Sequence, residues 1–139
     1  MLKHRKAQGY LEFIIVLPGV LLLLLLAFEF AMFWYSRMAV STATFEAARA
    51  VAVRRPMATG YATYSTLVGN LGQLTGDPRK HFTLKDQPSL RSVSARADVP
   101  WRWPTGLGAL MGGGLQLDLK SSAFFRLEEF YPGPPGTFE

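Results

Sequence analysis

The chain has 139 residues, 49% of them hydrophobic, and a formal net charge of +5, which is about one domain once a membrane segment is set aside. It has no cysteine, so a disulfide framework and a thiolate metal site are excluded. The positive balance does not describe a nucleic-acid surface: Lys3, Arg5 and Lys6 crowd the N-terminus, the other basic residues nearly match the 10 acidic ones, and the pairs Arg54-Arg55 and Arg79-Lys80 read as solvated loops rather than one basic face.

The first element is an apolar helix. Phe13 to Phe28 carries no charge, and with its flanks the run extends from Tyr10 to Tyr35. At 1.5 Å per residue this is about 39 Å of helix, enough to cross a hydrocarbon core of roughly 30 Å. The basic cluster Lys3-His4-Arg5-Lys6 precedes it, which predicts a cytoplasmic N-terminus, and Phe33-Trp34-Tyr35 at the far end reads as an interfacial aromatic belt. A cleaved secretory signal shares the basic start and apolar middle, but its apolar region is shorter, about 7 to 15 residues. The small-x-small site Ala39-Val40-Ser41 lies far downstream for such a cut. The spanning reading is therefore preferred.

Three residues interrupt the apolar pattern. Pro18 removes a backbone donor and frees the carbonyl of Ile14, which predicts a kink or local melting between Ile14 and Pro18. Glu12 and Glu29 sit toward opposite ends, where a carboxylate at membrane depth costs a few kcal/mol and calls for a partner. Glu29 is expected to lie near the interface and be partly wet; Glu12 is the functional candidate of the two.

From Ser36 to Val53 the chain is alanine-rich and has no proline or glycine, with Glu46 three residues before Arg49. These features continue the helix. Met38, Phe45 and Val53 fall near one side, suiting a stripe packed on a domain or a neighbour. Arg54-Arg55-Pro56 is a stop, because a residue before proline avoids helical geometry. One helix over Gln8 to Arg54 would be about 70 Å long.

Met57 to Asp77 is small and polar, with glycines at 60, 69, 72 and 76 and a short amphipathic helix expected over Tyr64 to Leu74. Alternation then predicts half-buried strands. His81 to Lys85 is the first. In Ser92 to Val99, Val93, Ala95, Ala97 and Val99 share one face. Leu115 to Leu119 is the third, continued or followed by Ala123 to Leu127. Pro100 and Pro104 end the second strand near Trp101-Arg102-Trp103. Gly106 to Gly114 is a glycine-rich loop, and the proline-rich end frays. The fold class expected is α+β: a long N-terminal helix packed on a small antiparallel sheet, which needs such cover. By number, the divisions are a basic cytoplasmic leader (1–9), a transmembrane helix (10–35), its extracytoplasmic continuation (36–55), a small extracytoplasmic domain (56–130) and a flexible tail (131–139).

Three stretches together resemble the TadE-like family of Tad (Flp) pilus-assembly pseudopilins. They are Gln8 to Pro18 (QGYLEFIIVLP), Phe28 to Ala52 with its Glu46-Ala47-Ala48-Arg49-Ala50, and Val99 to Glu128, ending in Arg126 and Glu128. The resemblance implies a pilin-like precursor of the bacterial inner membrane, a minor pilin or assembly factor of a type IV-like pilus. Implied partners are the membrane, other pilins and a prepilin peptidase that cuts on the cytoplasmic face. The processing region is then Ala7, Gln8, Gly9 and Tyr10. The family pattern of glycine before the cut and glutamate at the fifth mature position is not met in full. A cut after Gly9 puts Glu12 third, and a cut after Ala7 puts it fifth behind an alanine, so both cuts and no cut stay open. Glu12, Phe13 and Pro18 are the positions expected to govern helix association.

An enzyme is not expected. The only histidines are His4 and His81, and no HExxH, GxSxG or phosphate-loop pattern occurs. Gly112-Gly113-Gly114 is not followed by Lys-Ser/Thr, and Asp77, Asp86, Asp98 and Asp118 are too dispersed for a metal site; neither cofactor nor metal is expected. A membrane-anchored adhesion module is the alternative, with Trp101, Trp103, Leu107, Leu110 and Met111 as its contact loop. Against it stands the plainer reading that these residues cap the core or lie on the membrane surface.

Overall fold

The computed structural model describes residues 2–54, 56–71, 77–103, 106 and 117–126, without the side chains of 2–8, 11, 54, 70, 78 and 88. Helix α1 runs from Leu2 to Arg54, and α2 from Met57 to Val68. Three strands follow, β1 (Phe82–Gln87), β2 (Ser92–Trp101) and β3 (Leu117–Arg126). They form one antiparallel sheet in the order β1-β2-β3. The long helix and small sheet make the arrangement α+β, as the alternation and the apolar run predict.

The upper half of α1 is held to the sheet by a regular stripe. Glu29, Ser36, Val40, Ala43, Ala47 and Val51 are each at most 1% exposed, with Phe33 partly buried on the same side. Steps of three and four residues keep such a set on one face of a helix. Alanines at 43, 47 and 48 let neighbouring elements come close, and valines at 40 and 51 fill the remaining volume. Each fully buried valine contributes about 1.5–3 kcal/mol relative to an exposed one. Two hydroxyls on this face are satisfied within the helix: Ser36 Oγ donates to the carbonyl of Met32 at 2.8 Å, and Thr44 Oγ1 to that of Val40 at 2.7 Å.

Met38, Phe45 and Val53 are therefore not the buried stripe of α1, although Phe45 also touches β3 through Phe125. Those side chains are 60%, 48% and 49% exposed. They lie roughly half a turn around the helix from Val40 and Ala47, at 100° per residue. Small residues, which the eye passes over, form the buried side. Glu46 and Arg49 also lie on the outer side, 3.7 Å apart, an exposed pair worth little.

Two further expectations change. The helix runs through Pro18 without interruption, so local melting from Ile14 does not occur; one missing hydrogen bond is carried by the intact bonds on either side. The segment after Pro56 is not a polar loop leading to a helix at Tyr64. Helix begins at once, at Met57, behind the extended Pro56, and ends at Val68 in a short 3-10 turn over Gly69–Leu71. Gly60, which argues against helix on propensity, is needed there. A Cβ at that position would stand 2.5 Å from Val51 Cγ2 and 3.1 Å from the carbonyl oxygen of Ala47. The glycine is what lets α2 lie against α1.

The sheet lays its apolar face on the helices. Val93, Ala95, Ala97, Val99 and Trp101 of β2 are all buried, as are Phe82 and Leu84 of β1 and Leu119 of β3. Tyr64 of α2 stacks on Phe82 with ring centroids 3.9 Å apart. Tyr61 meets the same ring edge-on at 5.4 Å, and its hydroxyl accepts from the Leu84 amide at 3.4 Å. The second strand ends where Pro100 and Pro104 place its end, and the third is continued, not followed, by the segment from Ala123. β2 continues through Pro100 to Trp101, and Ala123 belongs to the same strand as Leu117. Leu115, Leu127 and Glu128 lie outside the described residues.

Candidate functional site

The lower half of α1 has a composition the head domain does not use. Large apolar side chains from Tyr10 at 72% and Phe13 at 62% through Leu26 at 40% are exposed on every side of the helix. Gly9 and Gly19 have open space around them. This part of the helix is long and apolar enough to cross a membrane, by length and composition. A row of exposed Leu, Ile and Phe on this scale has to be covered by lipid or by other apolar helices.

Glu12 is exposed within this row, next to Phe13. Eighteen residues separate it from Phe30, five helical turns at 3.6 residues each, so both face the same side. Phe30 is 67% exposed and stacks on Trp34 with ring centroids 6.3 Å apart. Glu12 thus points along a side of α1 that the head domain leaves open. Among the described residues no basic side chain pairs with this carboxylate, and in an apolar setting it calls for a cationic partner. Pro18 sits six residues above it in unbroken helix. Ala7 and Gln8 are on the helical backbone, with their side chains outside the description.

The other carboxylate of the helix behaves differently. Glu29 is 1% exposed, whereas its neighbours Phe28 and Phe30 are 52% and 67% exposed. It is not partly wet. Its burial is one-sided: α1 is covered on the Glu29 side while Phe28 and Phe30 stay open.

The aromatic cluster at this junction corrects the contact-loop reading in part. Trp101 is 2% exposed. Its ring meets Phe33 edge-on at 5.2 Å and Trp103 at 4.8 Å. It caps the core where β2 ends and is not available to a partner. Trp103 is half-buried beside it, and Arg102 between them is exposed. Leu107, Leu110 and Met111 lie outside the described residues. At the opposite end of the sheet Phe45 meets Phe125 edge-on at 4.8 Å. The two aromatic contacts, twelve residues apart on α1, set the sheet against the helix with the Trp101 end toward the exposed apolar half.

The outer face of the sheet carries Thr83, Lys85, Ser94, Arg96, Ser122 and Phe124 around a shallow open depression. Arg96 is paired there with Asp98 at 3.8 Å. Among the described residues no group of three or more His, Asp or Glu side chains is placed to hold a metal ion.

No curated protein and no solved structure matches the chain. A family model described as TadE-like protein matches residues 8–49. The match takes in the flank of the apolar run, Glu12, Pro18, the aromatic belt and the Glu46-Ala47-Ala48-Arg49 piece; it stops short of the sheet, so the Val99 to Glu128 part of the resemblance is not within it. Over residues 8–49 of its long N-terminal helix, the chain is similar to the TadE-like family.

Proposed function

We propose that this chain is a minor pilin or pseudopilin of a Tad pilus, anchored in the bacterial inner membrane and associating with other pilins through the lower half of α1. The observation that carries this reading is the division of one continuous helix. Its upper half is bound to a small sheet, and its lower half is apolar all round and uncovered. Such a helix is equally suited to a bilayer and to a bundle of like helices, which is what an assembling filament asks of its subunits. The family match over residues 8–49 supports the same reading.

In this account the N-terminus is cytoplasmic, held there by Lys3, Arg5 and Lys6, and the head domain is extracytoplasmic. The prepilin peptidase acts in the flank Ala7 to Tyr10. Glu12 pairs with a cationic group, such as a newly freed N-terminal ammonium, on a neighbouring subunit and so fixes axial register. Phe13 packs beside it, and Pro18 shapes the helix above. The chain works by association and not by catalysis. Val40 speaks against the cleaved secreted alternative, because it is 1% exposed in the core of the head. A cut at Ala39-Val40-Ser41 would take Phe33, Ser36 and Val40 away from the domain they hold.

Removing the chain from cells that carry its Tad machinery, and measuring sheared surface pilin, tests the role. Loss of surface pilin, restored by the wild-type chain, is expected; undiminished piliation would contradict it. Intact-mass measurement of the membrane-bound protein, with and without the prepilin peptidase, locates any cut. A mass difference within residues 7–10 supports processing, and identical masses refute it.

A further inference from the structure

We propose that the lower edge of the head domain is a membrane-seating surface, in which Arg102 and Trp103 beyond β2, together with Trp34 and Arg37 of α1, lie in the phospholipid headgroup layer. This rests on the anchored reading above and goes beyond it: an anchored helix could hold its head well clear of the bilayer.

Four observations bring the head down. Trp101, the last residue of β2, packs on Phe33 at 5.2 Å, within the aromatic belt itself. Glu29 is buried while Phe28 and Phe30 are exposed, so protein covers one side of the helix about 9 Å below Tyr35 at 1.5 Å per residue. Trp103 is half-buried, its ring 4.8 Å from that of Trp101. Arg37 lies 5.5 Å over the ring of Trp34, and both are exposed.

Depth follows from helix length. If Tyr35 marks the outer boundary, twenty residues, or roughly 30 Å, bring the inner boundary to about residue 15, and Glu12 emerges among the inner headgroups. The remainder of the apolar run, Tyr10 to Ile14, then lies at the inner boundary, and the outer boundary falls at the belt that Trp101 packs on. The residues left at the outer boundary have the chemistry of that layer. Indole rings suit it because one part is apolar and one part is a donor, and guanidinium groups bind phosphate through several N–H donors at once. Asp118, across from Pro100 at the same end of β3, is exposed. The rim is continuous with the membrane-spanning helix, which fixes phospholipid as its occupant.

The full chain reconstituted in phospholipid vesicles tests this. It has no cysteine, so single-cysteine variants take one nitroxide each, and the balance of oxygen and polar-relaxer accessibility reports depth. Labels are placed at Arg102→Cys, at Tyr35→Cys as the belt reference, and at Lys85→Cys on the outer face of the sheet. The expected result is that the Arg102 label reads headgroup depth with the Tyr35 label, while the Lys85 label reads bulk water. If the Arg102 label reads bulk water and the Tyr35 label reads headgroup depth, the seat is overturned and the anchor stands. If both read bulk water, seat and anchor fall together. Native Trp103 gives an independent reading in a Trp34→Phe/Trp101→Phe variant: bromine placed near the headgroups should quench it more than bromine at the acyl-chain ends, and equal or absent quenching would contradict the seat.

Discussion

Phe33 and Trp101 meet edge to face, with ring centroids 5.2 Å apart. One residue belongs to the top of the apolar helix and the other ends the central strand. Aromatic pairs of this geometry contribute about 0.5–1.5 kcal/mol beyond the area they bury. This contact joins the part of the chain that associates to the part that projects, so its loss should act on both.

Trp101→Ala is expected to destabilise the head by about 3–5 kcal/mol, the range for emptying a buried large aromatic site. Denaturant unfolding in detergent or nanodiscs, followed by cysteine-label accessibility on the sheet, measures it. Lys85→Ala, at an exposed site on the outer face, should change stability by less than about 0.5 kcal/mol. Equal effects of the two would mean that the lower edge is not packed as described.

Gly60 and Gly69 make opposite predictions. A methyl at Gly60 meets Val51 and the backbone of Ala47, so Gly60→Ala should cost about 1–3 kcal/mol through overpacking. Gly69 has right-handed helical angles, φ −55° and ψ −33°, and nothing within 4 Å. Gly69→Ala should therefore raise stability by about 0.4–1 kcal/mol, by restricting the unfolded chain. Thermal unfolding midpoints of the two variants should move in opposite directions.

Burial pushes the phenol of Tyr64 up to about 12 from its ordinary value of 10.0. The folded state then holds its proton more tightly than the unfolded state, so stability is full below pH 10 and is lost as pH rises toward 12. Allowing for partial screening, the loss is about 1–2 kcal/mol. The Tyr64 hydroxyl is buried with no hydrogen-bond partner among the described residues, so Tyr64→Phe should leave the neutral-pH midpoint nearly unchanged and flatten the alkaline decline. An unaltered decline in Tyr64→Phe would assign it to other groups.

Much of this fold was legible in the sequence for a simple reason. A charge-free run and strict period-two alternation are local signals, and both survive folding intact: Val93, Ala95, Ala97 and Val99 all turn inward. What was not legible depends on contacts between distant segments. The buried side of α1 mixes alanine, serine and threonine with Val40 and Val51, and the small residues' hydropathy does not announce a core, while the more visible Met38 and Val53 are exposed. Helix α2 is masked by Gly60, a poor helix former that only its contact with Ala47 and Val51 explains. Glu29 reads as an interfacial charge in the sequence, and only the folded chain shows it buried. Of the site, the apolar face and the position of Glu12 came from the sequence; the depth of the head did not.

Glu12→Gln keeps the size of the side chain and removes its charge. If Glu12 fixes axial register through a charged partner, surface pilin should fall at least as far as it does when the chain is absent, while membrane levels of the variant stay normal. Glu46→Gln, in an exposed pair at the upper helix, should leave surface pilin unchanged. Wild-type piliation with Glu12→Gln would refute the register role.

The claim that the lower half of α1 is an association surface is tested most directly by photo-crosslinking in native membranes. A photoreactive residue at Phe13, 62% exposed, should trap the membrane helix of another pilin or pseudopilin, identified by mass spectrometry. The adduct should disappear when the Tad machinery is deleted. A probe on the outer sheet face, at Lys85, should not give that adduct. If Phe13 yields only lipid adducts, or the same protein adducts with and without the Tad machinery, the lower helix is a membrane anchor alone and the assembly account is wrong.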